Sequence, residues 1–344
     1  MKTAILTILL FVLFTIGCKP QNKESMNTII YKEKFINLYE EVKTKPEPPL
    51  YIYEFNYSDV NIEIYINNKL FFKSYAYSDE TQNYQLINHY LNNELTQKLK
   101  IVVKPLDGEL FSEQSYFTFR LSSFEKKSYY DDDIWDNEQK IINYSTDEFG
   151  RDSNGDFAVD KDGNTIGYIK EKRLEGKPYF EKEFEFEASI PFKLPNVLET
   201  SKDLRKLDTV VLKKQVVTYF NRFIKSVNNS DDDAFFWETM YRKAYLECMA
   251  NYRSEEEINE LYENAEFVFS DKRVTFLPLE DYEMVFYNEG RLVTLESTSS
   301  DLKKKGKSVL NLELRQEGKE VKKSNKMQFY FHIPKDSKEL EVIF

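Results

Sequence analysis

Leu50-Tyr51-Ile52-Tyr53-Glu54-Phe55 opens a run in which large apolar side chains return at every second position, and Ile62-Glu63-Ile64-Tyr65-Ile66 repeats the pattern. A period of two puts alternate side chains on one face of an extended strand. Asn67-Asn68 supplies a turn before Leu70-Phe71-Phe72 begins the next strand. Leu99, Ile101 and Val103 alternate ahead of Pro105, Tyr116, Phe117, Phe119 and Leu121 follow, and Phe184, Phe186, Ala188 and Ile190 close the series. Short strands separated by Asn, Asp and Ser clusters predict an all-β sandwich over residues 50–197.

The sandwich is Ig-like in the length and spacing of its strands, and it is interrupted. Residues from about 126 to 177 are acidic and turn-rich, with Asn154-Gly155 and Asp162-Gly163 as hairpin dipeptides, and read as a long insertion projecting from the sandwich. Residues 18–49 read as a polar tether and a short helix, stopped by Pro46-Glu47-Pro48-Pro49.

From residue 198 to 344 the period changes to 3.6. Leu212, Val216, Phe220, Phe223 and Val227 make one helical face, and Trp237, Tyr241, Ala244 and Cys248 a second, on a helix starting at Ser230-Asp231-Asp232-Asp233. Ser254 with Glu257 forms a capping box for a third helix carrying Ile258, Leu261 and Tyr262. Strands then return at 274–277, 282–287, 291–296, 309–314, 327–332 and 340–344, with Asn288-Glu289-Gly290 and Gln316-Glu317-Gly318 as hairpin turns. Helices followed by an antiparallel meander predict an α+β domain. This element order resembles the NTF2-like cone fold, whose members include both enzymes and binding modules.

Composition excludes several classes. Among 344 residues 41% are hydrophobic, with 24 Tyr and 27 Phe, enough apolar surface to offset chain entropy. The mean hydropathy of −0.60, with a single long apolar run, excludes a multi-pass membrane protein. A net charge of −11, from 48 Lys and Arg against 59 Asp and Glu, repels phosphate backbones, so nucleic acid is not expected as a partner. The same acidic surface suits a basic protein partner.

The N-terminus carries an address. Lys2 precedes the apolar run Ala4 to Ile16, too short to span a bilayer, and Thr15-Ile16-Gly17-Cys18 follows. The segment resembles a bacterial lipoprotein signal, with residues 1–17 as signal peptide and a lipobox ending at Cys18. The resemblance implies cleavage after Gly17, acylation of Cys18 and anchoring in a lipid bilayer, each buried methylene contributing roughly 0.8 kcal/mol. Lys19, where such proteins carry Asp for inner-membrane retention, implies the outer membrane, with the body in the periplasm or at the surface. With Cys18 acylated, Cys248 has no disulfide partner and reads as a buried structural thiol.

Candidate sites are few. Asp160, Asp162, Asn164 and Glu171 match four oxygen-ligand positions of a Ca²⁺-binding EF-hand-type loop. Thr165 stands where that loop needs Gly, so a β-hairpin with an Asp-Gly-Asn turn is the stronger reading and no cofactor is expected. Tyr129, Tyr130 and Trp135 mix with carboxylates in a segment suited to recognition of a sugar face or a partner's apolar patch. His89 and His332 sit among strand-like and aromatic residues and read as structural. No phosphate loop, nucleophile elbow or zincin motif is present.

The resulting expectation is a non-enzymatic envelope lipoprotein that binds a protein partner, as an immunity protein binds a toxin. A carbohydrate- or cell-surface-binding accessory lipoprotein, or an enzyme with a pocket in the C-terminal domain, are the alternatives. Cys18→Ser should abolish incorporation of labelled palmitate and move the protein out of the membrane fraction. Labelling that persists in this variant would refute the lipobox reading.

Overall fold

The computed structural model describes residues 25–42, 49–75, 83–126, 137–146, 159, 161, 173–188, 190, 197–315 and 322–343. Its N-terminal half is the expected sandwich. Strands β1 (Pro49–Ser58), β2 (Val60–Ile66), β3 (Lys69–Ser74), β4 (Asn83–Leu86), β5 (Thr96–Pro105), β6 (Tyr116–Glu125), β7 (Gln139–Ser145) and β8 (Phe180–Glu187) form two antiparallel sheets. One has the order β4-β1-β6-β7 and the other β3-β2-β5-β8. The alternation read in sequence is the alternation of burial: Val60, Ile62, Ile64 and Ile66 point inward from β2, and Leu99, Ile101 and Val103 from β5. The sheets meet through rings set edge to face, Tyr53 on Phe71 at 5.3 Å and Phe119 on Phe184 at 5.0 Å.

The expected insertion at 126–177 needs correction, because part of it belongs to the sandwich. β7 pairs with β6 over Thr118↔Ser145 to Ser123↔Gln139, and its Tyr144 packs against Phe117, Phe119 and Phe184. Further on, Leu174 is fully buried in the same core, and Gly176 and Lys177 exchange backbone hydrogen bonds with Phe111. Gln139-Lys140-Ile141-Ile142-Asn143-Tyr144 hid this role, because an edge strand with one face to water needs few apolar residues. Deleting 126–177 would therefore take a strand and a core residue with it.

The C-terminal half is α+β. Its helical layer comprises α1 (Met26–Ile36), α2 (Leu38–Glu41), α3 (Val197–Thr200), α4 (Thr209–Asn228), α5 (Asp233–Ala250) and α6 (Glu255–Ser270). After it come β9 (Val274–Phe276), β10 (Tyr282–Tyr287), β11 (Leu292–Ser297), β12 (Leu310–Arg315), β13 (Lys322–Met327), β14 (Phe331–His332) and β15 (Glu341–Val342). They pair as β10-β11-β14-β15 and β13-β12-β9, all antiparallel. The capping box of α6 is present, with Ser254 and Glu257 bonding each other's backbone. Helix α5 starts later than the Ser230 signal suggested: Ser230 and Asp232 both take positive φ, and Asp232 pairs with Arg222 and not with the helix backbone. The expected strand 327–332 is two pieces, and the Lys-rich β13 before it escaped notice because its polar sequence lacks apolar alternation.

Chain order also misleads about α1 and α2. They precede the sandwich in sequence, yet Phe35 and Leu38 lie at the centre of the C-terminal core, against α5 and α6. Trp237 is the hub. It is fully buried, stacked on Tyr262 at 4.9 Å and edge-on to Phe236 at 5.4 Å and Phe35 at 6.3 Å. Trp237→Ala should cost about 3–5 kcal/mol, because rings from three helices around so large a void relax only in part. Thermal unfolding measures this, and an unchanged midpoint would remove Trp237 from the core.

Candidate functional site

Every residue singled out in sequence for a site lies outside the described residues: Cys18, Tyr129, Tyr130, Trp135, Asp160, Asp162, Asn164 and Glu171. Among the described residues no group of His, Cys, Asp and Glu is placed to hold a metal ion, and no helix is long and apolar enough to cross a membrane. Cys248 is buried, and burial pushes its thiol up to about 12, so it stays an inert thiol at neutral pH. Ser201 Oγ lies 2.7 Å from His332 Nδ1, but Ser201 is fully buried and bridges to Pro334 beside β14. The pair fastens the linker before α4 to the sheet.

His89 is the exception to the structural reading of the histidines. Asn88, also fully buried, fixes the 3₁₀ turn 88–90: its Oδ1 accepts from the Tyr51 backbone at 2.8 Å and its Nδ2 donates to the Pro49 carbonyl at 3.1 Å. The next residue is thereby aimed across the domain seam at α5. His89 Nδ1 is buried with no hydrogen-bond partner among the described residues, and burial holds the ring down to about 4. A buried polar atom left unpaired calls for an explanation.

It borders a cleft of about 290 Å³ where the two domains meet. The sandwich contributes Phe72 and Lys73 from β3 with His89 and Tyr90, and the α+β domain contributes Lys243 and Glu247 from α5. Glu296, Lys307, Lys326 and Tyr330 complete the far side. Both carboxylates are already engaged. Glu296 accepts from Lys73 at 2.9 Å and from the Tyr287 hydroxyl, and Glu247 pairs with Arg253 at 3.2 Å. For Glu247 burial pushes upward, but the positive charges around it, Lys243 and Arg253 among them, outweigh it and keep the carboxyl below its ordinary value. Burial raises the Glu296 carboxyl in spite of Lys73.

The cations are in excess. Among the described residues Lys243, Lys307 and Lys326 have no carboxylate within salt-bridge distance. Burial lowers the Lys243 and Lys326 ammonium groups, and Lys307 and Lys304 lower Lys326 further. Nearby, Lys69 is buried with, among the described residues, only the Leu91 carbonyl to donate to, and burial brings it to about 8. The rim is held by Gly306, whose φ of +68° and close approach leave no room for a side chain: a Cβ there would meet Tyr75 at 2.5 Å and Lys73 at 2.9 Å. Such a cleft can bind and orient an acidic group, and its hydroxyl Ser308 is occupied with the Met327 carbonyl.

Comparison with family models, with curated proteins and with solved structures yields no match to this chain. Apart from His89, sequence carried no signal for the cleft, since the lining residues come from distant segments and follow no motif.

His89 is neutral in the fold and takes a proton in the unfolded chain near its ordinary 6.5, so the unfolded state binds more protons between about pH 6.5 and about pH 4. Stability from this group is therefore complete above pH 6.5 and lost as pH falls towards 4. Urea unfolding across that range should show a decline that is shallower in His89→Asn. Identical profiles would mean that the ring is not desolvated.

Proposed function

We propose that this chain is a lipid-anchored envelope protein acting as a non-enzymatic binding module, with the domain seam as its binding seat. The lipobox resemblance at Cys18 supports the anchor. One observation carries the binding reading: charged side chains from both domains converge on one concave site, where Lys243, Lys307 and Lys326 have no carboxylate within salt-bridge distance among the described residues. The charged groups there are arranged as a receiving surface. A protruding group of a partner fits such a seat, and the seam's position between two packed domains keeps it preorganised.

Lys243→Glu tests the reading, because it puts a negative charge on the cleft wall without touching the surrounding core. The full-length protein, cross-linked in native membranes and solubilised in detergent, should retain a bound species that the variant loses by at least tenfold. Equal retention by both would place binding elsewhere on the molecule.

A further inference from the structure

Three features of the seam cleft point to the same ligand chemistry. The first is charge. Lys73, Lys243, Lys307 and Lys326 face the cleft against Glu247 and Glu296, and those two carboxylates are spent on Arg253 and on Lys73. A protein with a net charge of −11 thus gathers at one cleft three lysines, Lys243, Lys307 and the exposed Lys326, that have no carboxylate within salt-bridge distance among the described residues. Cations gathered away from water cost free energy unless a counter-charge joins them. The second is the ring of His89, which lines the cleft 4.3 Å from the Tyr90 ring and, held neutral by burial, adds no charge of its own. The third is shape: Leu70, Phe71, Phe72, Tyr90 and Tyr330 supply apolar and aromatic wall.

We infer that the seam cleft is an anion site that takes the phosphate or carboxylate group of a small ligand on Lys243 and Lys326, with an apolar or planar body against Phe72 and Tyr90. The inference rests on the seam being the binding seat, and it adds the chemical class of what is seated. The volume of about 290 Å³ is at the low end of small-molecule pockets, which suits one acidic group on a ring-sized body. The same chemistry is offered by a free metabolite and by an acidic side chain of a protein partner. Charge-assisted hydrogen bonds from two ammonium groups, the half-buried Lys243 and the exposed Lys326, are the strong contacts, and the aromatic wall sets the preference for a planar body.

Isothermal titration of the full chain in detergent at low salt, with phenyl phosphate, benzoate, inorganic phosphate and benzyl alcohol, tests the assignment. The expected order is phenyl phosphate tightest, benzoate and inorganic phosphate weaker, and no detectable binding of the neutral benzyl alcohol. Lys243→Gln and Lys326→Gln should each weaken phenyl phosphate roughly tenfold or more, the size of a lost charge-assisted contact. Both variants should keep the wild-type melting temperature to within a few degrees, and Lys326 lies on the edge strand β13, where Gln is tolerated. Two results would overturn the inference: benzyl alcohol binding as well as phenyl phosphate, or both lysine variants binding like the wild type.

Competition separates the two sources. Phenyl phosphate displacing the cross-linked species of the native membrane assigns the acidic group to that partner, and retention of the species at saturating phenyl phosphate assigns the site to a free small molecule. If the lysine variants bind phenyl phosphate like the wild type while Lys243→Glu still loses its partner, the anion assignment fails and the seam remains the binding seat. If Lys243→Glu retains its partner, the seam reading itself fails, whatever the titrations show.

Discussion

Lys73 on the sandwich and Glu296 on the meander meet at 2.9 Å, 223 residues apart in sequence, with both side chains largely withdrawn from water. Around them Leu70, Leu246, Ala250, Tyr287, Leu292, Tyr330 and Ile343 form an apolar cluster shared by the two domains. The cluster supplies the free energy of the junction, because burying apolar area is favourable without any directional demand. The ion pair supplies register. Losing one partner of such a pair costs about 3–5 kcal/mol by stranding the other, so only docking that brings Lys73 onto Glu296 is tolerated. Tyr65 and Tyr75 extend the arrangement through hydrogen bonds to Glu63, which itself lies 3.9 Å from Lys73.

A second polar link runs along the same seam. Lys126 donates to the Tyr252 carbonyl and pairs with Glu257 at 3.1 Å, Glu257 pairs with Arg253, and Arg253 with Glu247 at the cleft wall. The Lys73–Glu296 pair at the cleft and the Lys126–Glu257 pair beyond it both cross from one domain to the other. The charge of the cleft lining is opposite in sign to that of the whole chain. Net charge governs solubility and long-range encounter, whereas a partly buried cleft responds to the few groups lining it, with little screening.

The helical layer shows the same separation of sequence order from spatial order. Helices α1 and α2 enter the C-terminal core before the sandwich has begun, with Phe35 against Trp237 and Tyr262. The two domains are thus joined by packing and also by a chain that starts in one, builds the other and returns. Anything attached to the N-terminus is tied mechanically to the α+β half, next to α5 and α6, and not to the sandwich that follows in sequence.

Sequence alone determined the period-two strands of the sandwich, the buried faces of α4 and α5, the capping box of α6 and the Asn288-Glu289-Gly290 hairpin. All of these are set by side chains within a few positions of one another, through pleat, helical pitch or backbone capping. It missed β7 and β13, because a half-exposed edge strand pays little for polar residues and leaves a weak apolar pattern. It also set α1 apart from the core it completes and classed His89 with the structural histidines. The cleft was decided by tertiary structure only. Lys73, His89, Lys243, Glu296 and Lys326 carry no spacing that marks them, since their proximity comes from docking two finished surfaces. Their chemistry follows from burial and missing counter-charge, and both exist only once those surfaces have met.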